Sequence, residues 1–224
     1  TSRGLGDVYK RQELDKTLLP ILDETMARFD NFEVVSADIL KTDISALVRE
    51  KFAGLTPIVC ANLPYNITTP AITALIESKC FENITVLVQK EVAERLCAAP
   101  GTSAYGAFSV FMQYYTEPEY LFAVPRECFE PQPKVTSAVL RAVVRREPPV
   151  EVEDEKFFFR VVYAAFALRR KTLVNSLMTA FGSQLTKEQV TQAVTSCGLE
   201  ANIRGERLGL SEFAALSAEI AALL

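Results

Sequence analysis

The chain has 224 residues, of which 49% are hydrophobic and 23% are charged, and its formal net charge is −4. This length can form one large or two small domains, and the composition is ordinary for a soluble globular protein. Histidine is absent, which excludes Ser-His-Asp and Cys-His hydrolases, His-based zinc sites and the zinc deaminases. No apolar run reaches about 18 residues, so the sequence predicts no membrane span.

The N-terminal segment, residues 1–12, contains neither the apolar core of a signal peptide nor a Val/Ile-rich strand. We therefore interpret it as a leader unrelated to the rest, and we expect no export. The five cysteines are widely spaced and none occurs in a Cys-x-x-Cys motif. This spacing is typical of free thiols in a reducing cytosol.

Helical and strand patterns alternate from residue 13 to about residue 144. A helical spacing of Leu18, Leu19, Leu22 and Met26 comes first, and a short strand over 33–36 then leads into Asp38. Further helices are predicted over 70–78, from residue 92 and over 105–115, with a strand covered on both faces over 84–88.

The tetrapeptide Asn62-Leu63-Pro64-Tyr65 follows the short apolar run 57–61 and precedes the helix predicted from Pro70. An Asn side-chain oxygen and a backbone carbonyl held by a stiff proline can accept both N–H bonds of one exocyclic amine. The following tyrosine can stack on a flat base. By itself the tetrapeptide is equally consistent with a plain turn that closes a strand.

Strands predicted over 120–124 and 136–144 have no helix between them, so we expect an antiparallel pair at the edge of a doubly wound sheet. A linker at Glu147-Pro148-Pro149 then precedes helices over 157–168 and 171–181, from Thr186 and from Ser211. Two basic clusters, one at Arg141, Arg145 and Arg146 and one at 169–171, are either solvated faces or parts of a local basic groove.

Several motifs come in a characteristic order: Glu13-Leu14-Asp15, Ala37-Asp38-Ile39-Leu40, the Asn62 tetrapeptide, Gln89-Lys90-Glu91, the segment 129–137, Arg169-Arg170-Lys171-Thr172-Leu173 and Arg204-Gly205-Glu206-Arg207-Leu208. From about Glu13 to the C-terminus this set resembles the small-subunit ribosomal RNA adenine dimethyltransferase family. The resemblance implies an α/β fold, namely a class I methyltransferase (Rossmann-like) sheet, followed by a small all-α C-terminal domain. It also implies an enzyme that uses S-adenosylmethionine.

The resemblance assigns roles to individual positions. Glu13 would bind the ribose hydroxyls of the cofactor, and Asp38 would accept from its adenine amine. Tyr65 and Phe129 would sandwich the target adenine. The implied catalytic residues are Asn62, Leu63, Pro64, Tyr65 and Phe129; the implied cofactor-binding residues are Glu13, Asp38, Ile39 and Asn62; the implied RNA-binding residues are Arg169, Arg170, Lys171, Arg204 and Arg207. The five implied RNA-binding residues could contact phosphates or pack between domains. No metal site is expected.

The sequence departs from the family pattern before Glu13. Family members have a Gln-Asn-Phe-Leu-like segment and a first strand that ends in a Glu-x-Gly-x-Gly loop, and this sequence has neither. We therefore expect a sheet that lacks its first strand and weak or absent cofactor binding. The expected divisions are a leader (1–12), an incomplete methyltransferase domain (13–148) and a helical RNA-binding domain (149–224).

The expected function is dimethylation of adenine N6 amines in small-subunit rRNA, by a cytoplasmic monomer that acts on the pre-30S particle without membrane or metal. One alternative is the related large-subunit rRNA methyltransferase of the macrolide-resistance type, and a second is a non-catalytic ribosome-assembly factor that binds RNA. A DNA adenine methyltransferase fits less well, because that class tends to have another residue in place of Leu63 and lacks the helical tail.

Overall fold

The computed structural model describes residues 9–13 and 15–224, without the side chain of Tyr9. The chain divides into two compact units, residues 1–84 and 85–224. The strands are β1 (Tyr9–Glu13), β2 (Phe32–Ser36), β3 (Ile58–Asn62), β4 (Asn83–Gln89), β5 (Thr116–Val124) and β6 (Ser137–Val144). The helices are α1 (Leu19–Met26), α2 (Ile44–Lys51), α3 (Thr68–Glu77), α4 (Lys90–Leu96), α5 (Ala107–Tyr115), α6 (Glu155–Phe166), α7 (Leu173–Phe181), α8 (Lys187–Ser196) and α9 (Leu210–Ala221).

The first unit contains a strand that the sequence did not predict. β1 pairs in parallel with β2, from Tyr9 opposite Phe32 to Glu13 opposite Ser36. The expectation of no strand directly before Glu13 is therefore wrong. The strand was not predicted because Tyr-Lys-Arg-Gln lacks the apolar pattern of a strand covered on both faces. The hydrogen bonds that pair the backbones of β1 and β2 do not require that pattern.

The strands form two separate sheets in the described part of the chain. β1 and β2 make a two-stranded sheet, and the other has the order β3-β4-β6-β5. The sequence predicts a single sheet with an unfilled position, so the division into two sheets is a finding of the structure. In β4, buried and half-buried residues alternate and none is exposed, which agrees with the prediction of a strand covered on both faces.

Helix α3 carries much of the apolar core of the first unit. Its buried face is formed by Ala71, Ile72, Leu75 and Ile76, each at most 4% exposed. Helix α2, which the sequence pattern did not reveal, begins at a cap in which the Asp43 side chain accepts from the Ala46 N–H.

The predicted antiparallel pair lies in the second unit. β5 and β6 pair from Thr116 opposite Val144 to Val124 opposite Ser137, which confirms that prediction. β5 is the last strand in its sheet, and Pro118 lies opposite Ala142 within it. The pairing register shifts between Tyr120 and Phe122, and Phe122 is 56% exposed.

An aromatic cluster joins α5 to α6 inside the second unit. Phe158 is fully buried, and its ring centroid lies 5.2 Å from that of Tyr114 and 5.0 Å from that of Phe159. Phe159 also stacks on Tyr115, with the ring centroids 5.6 Å apart. Residues on both sides of 148/149 therefore share one core. The domain limits at 12/13 and 148/149 stay predictions.

Two of the C-terminal helices begin at side-chain caps, and the sequence predicts the second of them. The Thr172 side chain accepts from Asn175 N–H at the start of α7. At the start of α8, Thr186 and Gln189 form the reciprocal capping box that the sequence indicates. Among the helices that the structure describes, none is long and apolar enough to cross a membrane. Within residues 9–13 and 15–224 no group of three His, Cys, Asp or Glu side chains is placed to hold a metal ion.

Candidate active site

The Asn62 tetrapeptide forms a rigid turn between β3 and α3. Asn62 ends β3, and a 3₁₀ turn over Tyr65–Ile67 leads into α3. Pro64 has φ −56° and ψ 135°, the extended geometry that its ring favours. Leu63 is only 7% exposed, so its side chain anchors the turn in the core of the first unit.

The side chains of this turn differ in exposure in a way that suits binding. Asn62 is exposed, while Tyr65 is half-buried. The Asn62 amide is therefore accessible, and the Tyr65 ring is partly supported by protein. Together with the Leu63 carbonyl, the Asn62 oxygen can act as an acceptor for an amine that approaches from solvent.

Glu13 and Asp38 lie at the same end of the two-stranded sheet, where both strands terminate. Glu13 ends β1 opposite Ser36, and Asp38 follows two residues after Ser36. The carboxyl ends of parallel strands are where open α/β sheets bind ligands. The Glu13 carboxylate is half-buried and accepts from Asp15 N–H (3.1 Å) and from Arg11 Nη2 (3.0 Å).

The Asp38 turn is fixed by hydrogen bonds within its own segment. The Asp38 Oδ1 atom accepts from Leu40 N–H (3.0 Å), and its carbonyl accepts from Lys41 N–H (3.0 Å) and Thr42 Oγ1 (2.8 Å). Ile39 is half-buried within this turn. Carboxylates at adjacent strand ends can accept hydrogen bonds from hydroxyl or amine groups of a ligand.

Phe129 lies in the Pro-rich loop between β5 and β6. It is half-buried, and its N–H donates to the Arg126 carbonyl (3.2 Å). The far end of this loop is held at the start of α4, because Lys90 N–H donates to the Thr136 carbonyl (3.0 Å). Phe129 belongs to the second unit and Tyr65 to the first. Their pairing around a base therefore stays a prediction.

The basic residues of the helical region fall into two groups. The Arg169 guanidinium donates to the carbonyls of Ser103 and Tyr105 and lies 3.7 Å from the Glu206 carboxylate. Arg204 lies 4.0 Å from the same carboxylate. Arg170, Lys171 and Arg207, in contrast, are exposed, although the Arg207 guanidinium lies beside Gly101. Arg169 is thus engaged with protein groups, and the exposed residues are better placed to contact a polyanion.

The contacts of Arg169 belong to a junction that the sequence analysis missed. Gly101 N–H donates to the Glu206 carbonyl (2.7 Å), and the fully buried Tyr105 hydroxyl donates to the Leu208 carbonyl (3.0 Å). Burial raises the pKa of Tyr105, which keeps the phenol protonated as a donor. The single acidic residue within Arg204-Gly205-Glu206-Arg207 was the available sequence signal.

The other basic cluster is largely neutralised by carboxylates. Arg141 Nη2 lies 2.6 Å from Glu119, and Arg145 Nη1 lies 2.8 Å from Glu117. These ion pairs cross from β6 and the residue that follows it to β5. Of the two interpretations left open for this cluster, solvated strand faces are favoured over a basic groove.

Comparisons with known proteins agree with this geometry. A family model described as ribosomal RNA adenine dimethylase matches residues 7–220. A ribosomal RNA small subunit methyltransferase A of Geobacillus sp. (strain WCH70) is 48% identical over 208 residues, which cover 92% of this chain and 72% of the relative. The protein of the same name in Lactococcus lactis subsp. lactis (strain IL1403) is 49% identical over 207 residues, with coverage of 92% and 70%.

Two solved structures show the same fold. A dimethyladenosine transferase from Plasmodium falciparum has a TM-score of 0.75 at 21% identity and covers 96% of this chain and 82% of its own. The 23S rRNA methyltransferase ErmE has a TM-score of 0.66 at 24% identity, with coverage of 95% and 81%. These likenesses confirm the predicted Rossmann-like α/β fold.

Proposed function

Because the chain belongs to the ribosomal RNA adenine dimethylase family, we propose that it dimethylates the N6 amine of adenines in small-subunit rRNA, with S-adenosylmethionine as methyl donor. The curated relatives named above are small-subunit methyltransferases. The observation that carries the proposal is the exposed Asn62 amide on a rigid, core-anchored turn. The proposed partner is the pre-30S particle, and the protein acts in the cytoplasm as a monomer.

Two oxygen acceptors prepare the adenine amine for reaction. The lone pair of this amine is delocalised into the ring, which makes the nitrogen a poor nucleophile. Hydrogen bonds from its two N–H groups to the Asn62 side-chain oxygen and the Leu63 carbonyl favour a pyramidal nitrogen. They also stabilise the positive charge that develops on it. No strong base is needed for this chemistry, which is consistent with the absence of histidine.

The cofactor would be held by Glu13, Asp38, Ile39 and Asn62. When bound, S-adenosylmethionine supplies an electrophilic methyl group. Glu13 would accept from the ribose hydroxyls, and Asp38 from the adenine amine. Both carboxylates are fixed by local hydrogen bonds, so little ordering remains to be done on binding.

The target adenine must leave its stack before it can reach Asn62, at a cost of a few kcal/mol that is smallest in looped RNA. Tyr65 and Phe129 would stack on the two faces of the extruded base. Stacking contributes about 1–3 kcal/mol per base, enough to offset most of that cost. The partial burial of both rings supports this role, because partly buried rings lose less freedom on binding.

The exposed cations Arg170, Lys171 and Arg207 would contact phosphates, and Arg169 and Arg204 would maintain the junction with Glu206. The Arg169→Ala substitution is expected to lower the free energy of unfolding by about 1–2 kcal/mol, because two carbonyls lose their donor and the Glu206 carboxylate loses one of its two cationic partners. The Arg170→Ala substitution is expected to change it by less than about 0.5 kcal/mol. It should instead weaken RNA binding. The slope of log K, where K is the association constant for RNA, against log salt concentration should become shallower by about 0.7–0.9 per lost phosphate contact.

Urea unfolding and RNA titrations at several salt concentrations measure both effects on the same two variants. Equal loss of stability in the two variants would contradict this division of roles. So would a salt response that the Arg170→Ala substitution leaves unchanged.

The function is tested with small ribosomal subunits that lack the adenine methylations. The protein is incubated with these subunits and S-adenosylmethionine, and dimethyladenosine is located in the rRNA by mass spectrometry. Dimethylation of small-subunit adenines is the expected result. Methylation of large-subunit rRNA alone would select the macrolide-resistance type. RNA binding without cofactor binding in calorimetry would select a non-catalytic assembly factor.

A further inference from the structure

Two donors converge on a single carbonyl in the candidate active-site turn. The Pro64 carbonyl accepts from Ile67 N–H at 3.1 Å and from the Thr68 hydroxyl at 3.2 Å. This carbonyl belongs to the peptide group between Pro64 and Tyr65. Its two hydrogen bonds therefore fix the orientation of the backbone from which the Tyr65 ring projects.

The Thr68 hydroxyl connects this turn to the buried core of the first unit. Thr68 is only 3% exposed and is the first residue of α3. Ala71 and Ile72, in the same helical turn, are 0% and 1% exposed. Because water has little access to Thr68, it cannot readily replace this hydroxyl as a donor to Pro64.

The ordinary explanation for such a contact is local. Threonine hydroxyls in helices often donate to the carbonyl four residues earlier, as Thr191 Oγ1 does to the Lys187 carbonyl (2.8 Å) in α8. The Thr68 contact differs in its acceptor, because Pro64 lies outside the helix. Pro64 also lies between the two groups that are proposed to contact the adenine, the Leu63 carbonyl and the Tyr65 ring.

We propose that the buried Thr68 hydroxyl is a positioning group for methyl transfer, which holds the Leu63 carbonyl and the Tyr65 ring in the geometry that receives the adenine. The inference rests on the proposed function. Thr68 touches neither substrate nor cofactor in this role and acts through the Pro64 peptide group. Its loss should impair the alignment of the amine and leave the cofactor site intact.

The Thr68→Val substitution removes the hydroxyl and keeps the branched shape, while Thr68→Ser keeps the hydroxyl. With undermethylated small ribosomal subunits, Thr68→Val is expected to lower kcat about tenfold. A tenfold decrease in kcat is larger than the few-fold decrease expected from losing one ordinary hydrogen bond. It is smaller than the decrease of about a hundredfold expected when a reacting group is misplaced by about 1 Å. The KM for S-adenosylmethionine should stay within about twofold, and Thr68→Ser should retain most of the activity.

The matched control is Thr191→Val, which removes the same kind of hydroxyl bond in α8, on the other unit. It is expected to leave kcat unchanged. Hydrogen exchange at the Ile67 amide gives a second measurement: exchange should accelerate in Thr68→Val and not in Thr68→Ser, because the turn loosens only when the hydroxyl is lost.

The outcomes separate this inference from the function on which it rests. Normal kcat in Thr68→Val, or equal losses in Thr68→Val and Thr68→Ser, would overturn the positioning role while leaving the function in place. Failure of the unaltered protein to methylate small-subunit rRNA would overturn the proposed function and this inference with it.

Discussion

The Asn62→Ala substitution is expected to lower kcat for methyl transfer by about 10²–10³-fold, the range seen when one preorganised group that stabilises transition-state charge is removed. The Leu63 carbonyl alone would then receive the amine, and the nitrogen would lose one of the two acceptors that favour its pyramidal form. Asn62 is exposed, so the substitution should change the free energy of unfolding by less than about 0.5 kcal/mol.

The measurement is steady-state methyl transfer to undermethylated small subunits, together with urea unfolding of the same preparations. Asn202→Ala is the control, because Asn202 is also exposed and lies on the other unit. Activity of Asn62→Ala within about threefold of the unaltered protein would refute the role given to this amide. A large loss of stability would show instead that Asn62 serves the fold.

The Phe158→Ala substitution is expected to have the largest effect on stability. Phe158 is fully buried and packs against Tyr114 and Phe159 between α5 and α6. Removing a buried aromatic ring typically lowers the free energy of unfolding by about 3–5 kcal/mol. The protein loses the favourable transfer of the ring out of water and is further destabilised by the cavity left behind. We expect a reduction of this size in the unfolding free energy of the second unit.

Phe122→Ala provides the matched comparison, since Phe122 is the same residue type but is 56% exposed. Its effect should be within about 0.5 kcal/mol. Chemical unfolding followed by circular dichroism distinguishes the two variants. Similar midpoints for both would mean that the aromatic cluster does not hold α5 against α6.

The elements that sequence reasoning predicted well are those with a local cause. The capping box at Thr186 and Gln189, and the pairing of β5 with β6 without an intervening helix, are examples of such local signals. β1 was missed because its residues show no apolar alternation, and its existence depends on pairing with β2. Helix α2 was missed although it has local signals, namely the Asp43 cap and the helical spacing of Ile44, Leu47 and Val48.

The candidate site was predictable where it depends on a contiguous motif. The turn over Asn62–Tyr65 forms between a strand and a helix, as the sequence predicts, with Pro64 extended and Asn62 exposed. Contacts between distant segments were not predictable: the attachment of Arg169 to Ser103 and Glu206 joins residues far apart in sequence. The Thr68 hydroxyl was missed for another reason. The role proposed for it rests on its burial, which depends on how α3 packs rather than on the residues beside it.

The order of residues on β5 bears on how the protein behaves at high concentration. A terminal strand can recruit a strand from another molecule and so begin aggregation. The Glu117-Pro118-Glu119 segment opposes this, because proline offers no N–H to an incoming chain and the charged side chains beside it would have to lose water if another strand paired there. Since Arg141 and Arg145 hold these carboxylates by ion pairs, this half of the strand is protected against self-association, and the segment around Phe122 is left as its weaker half.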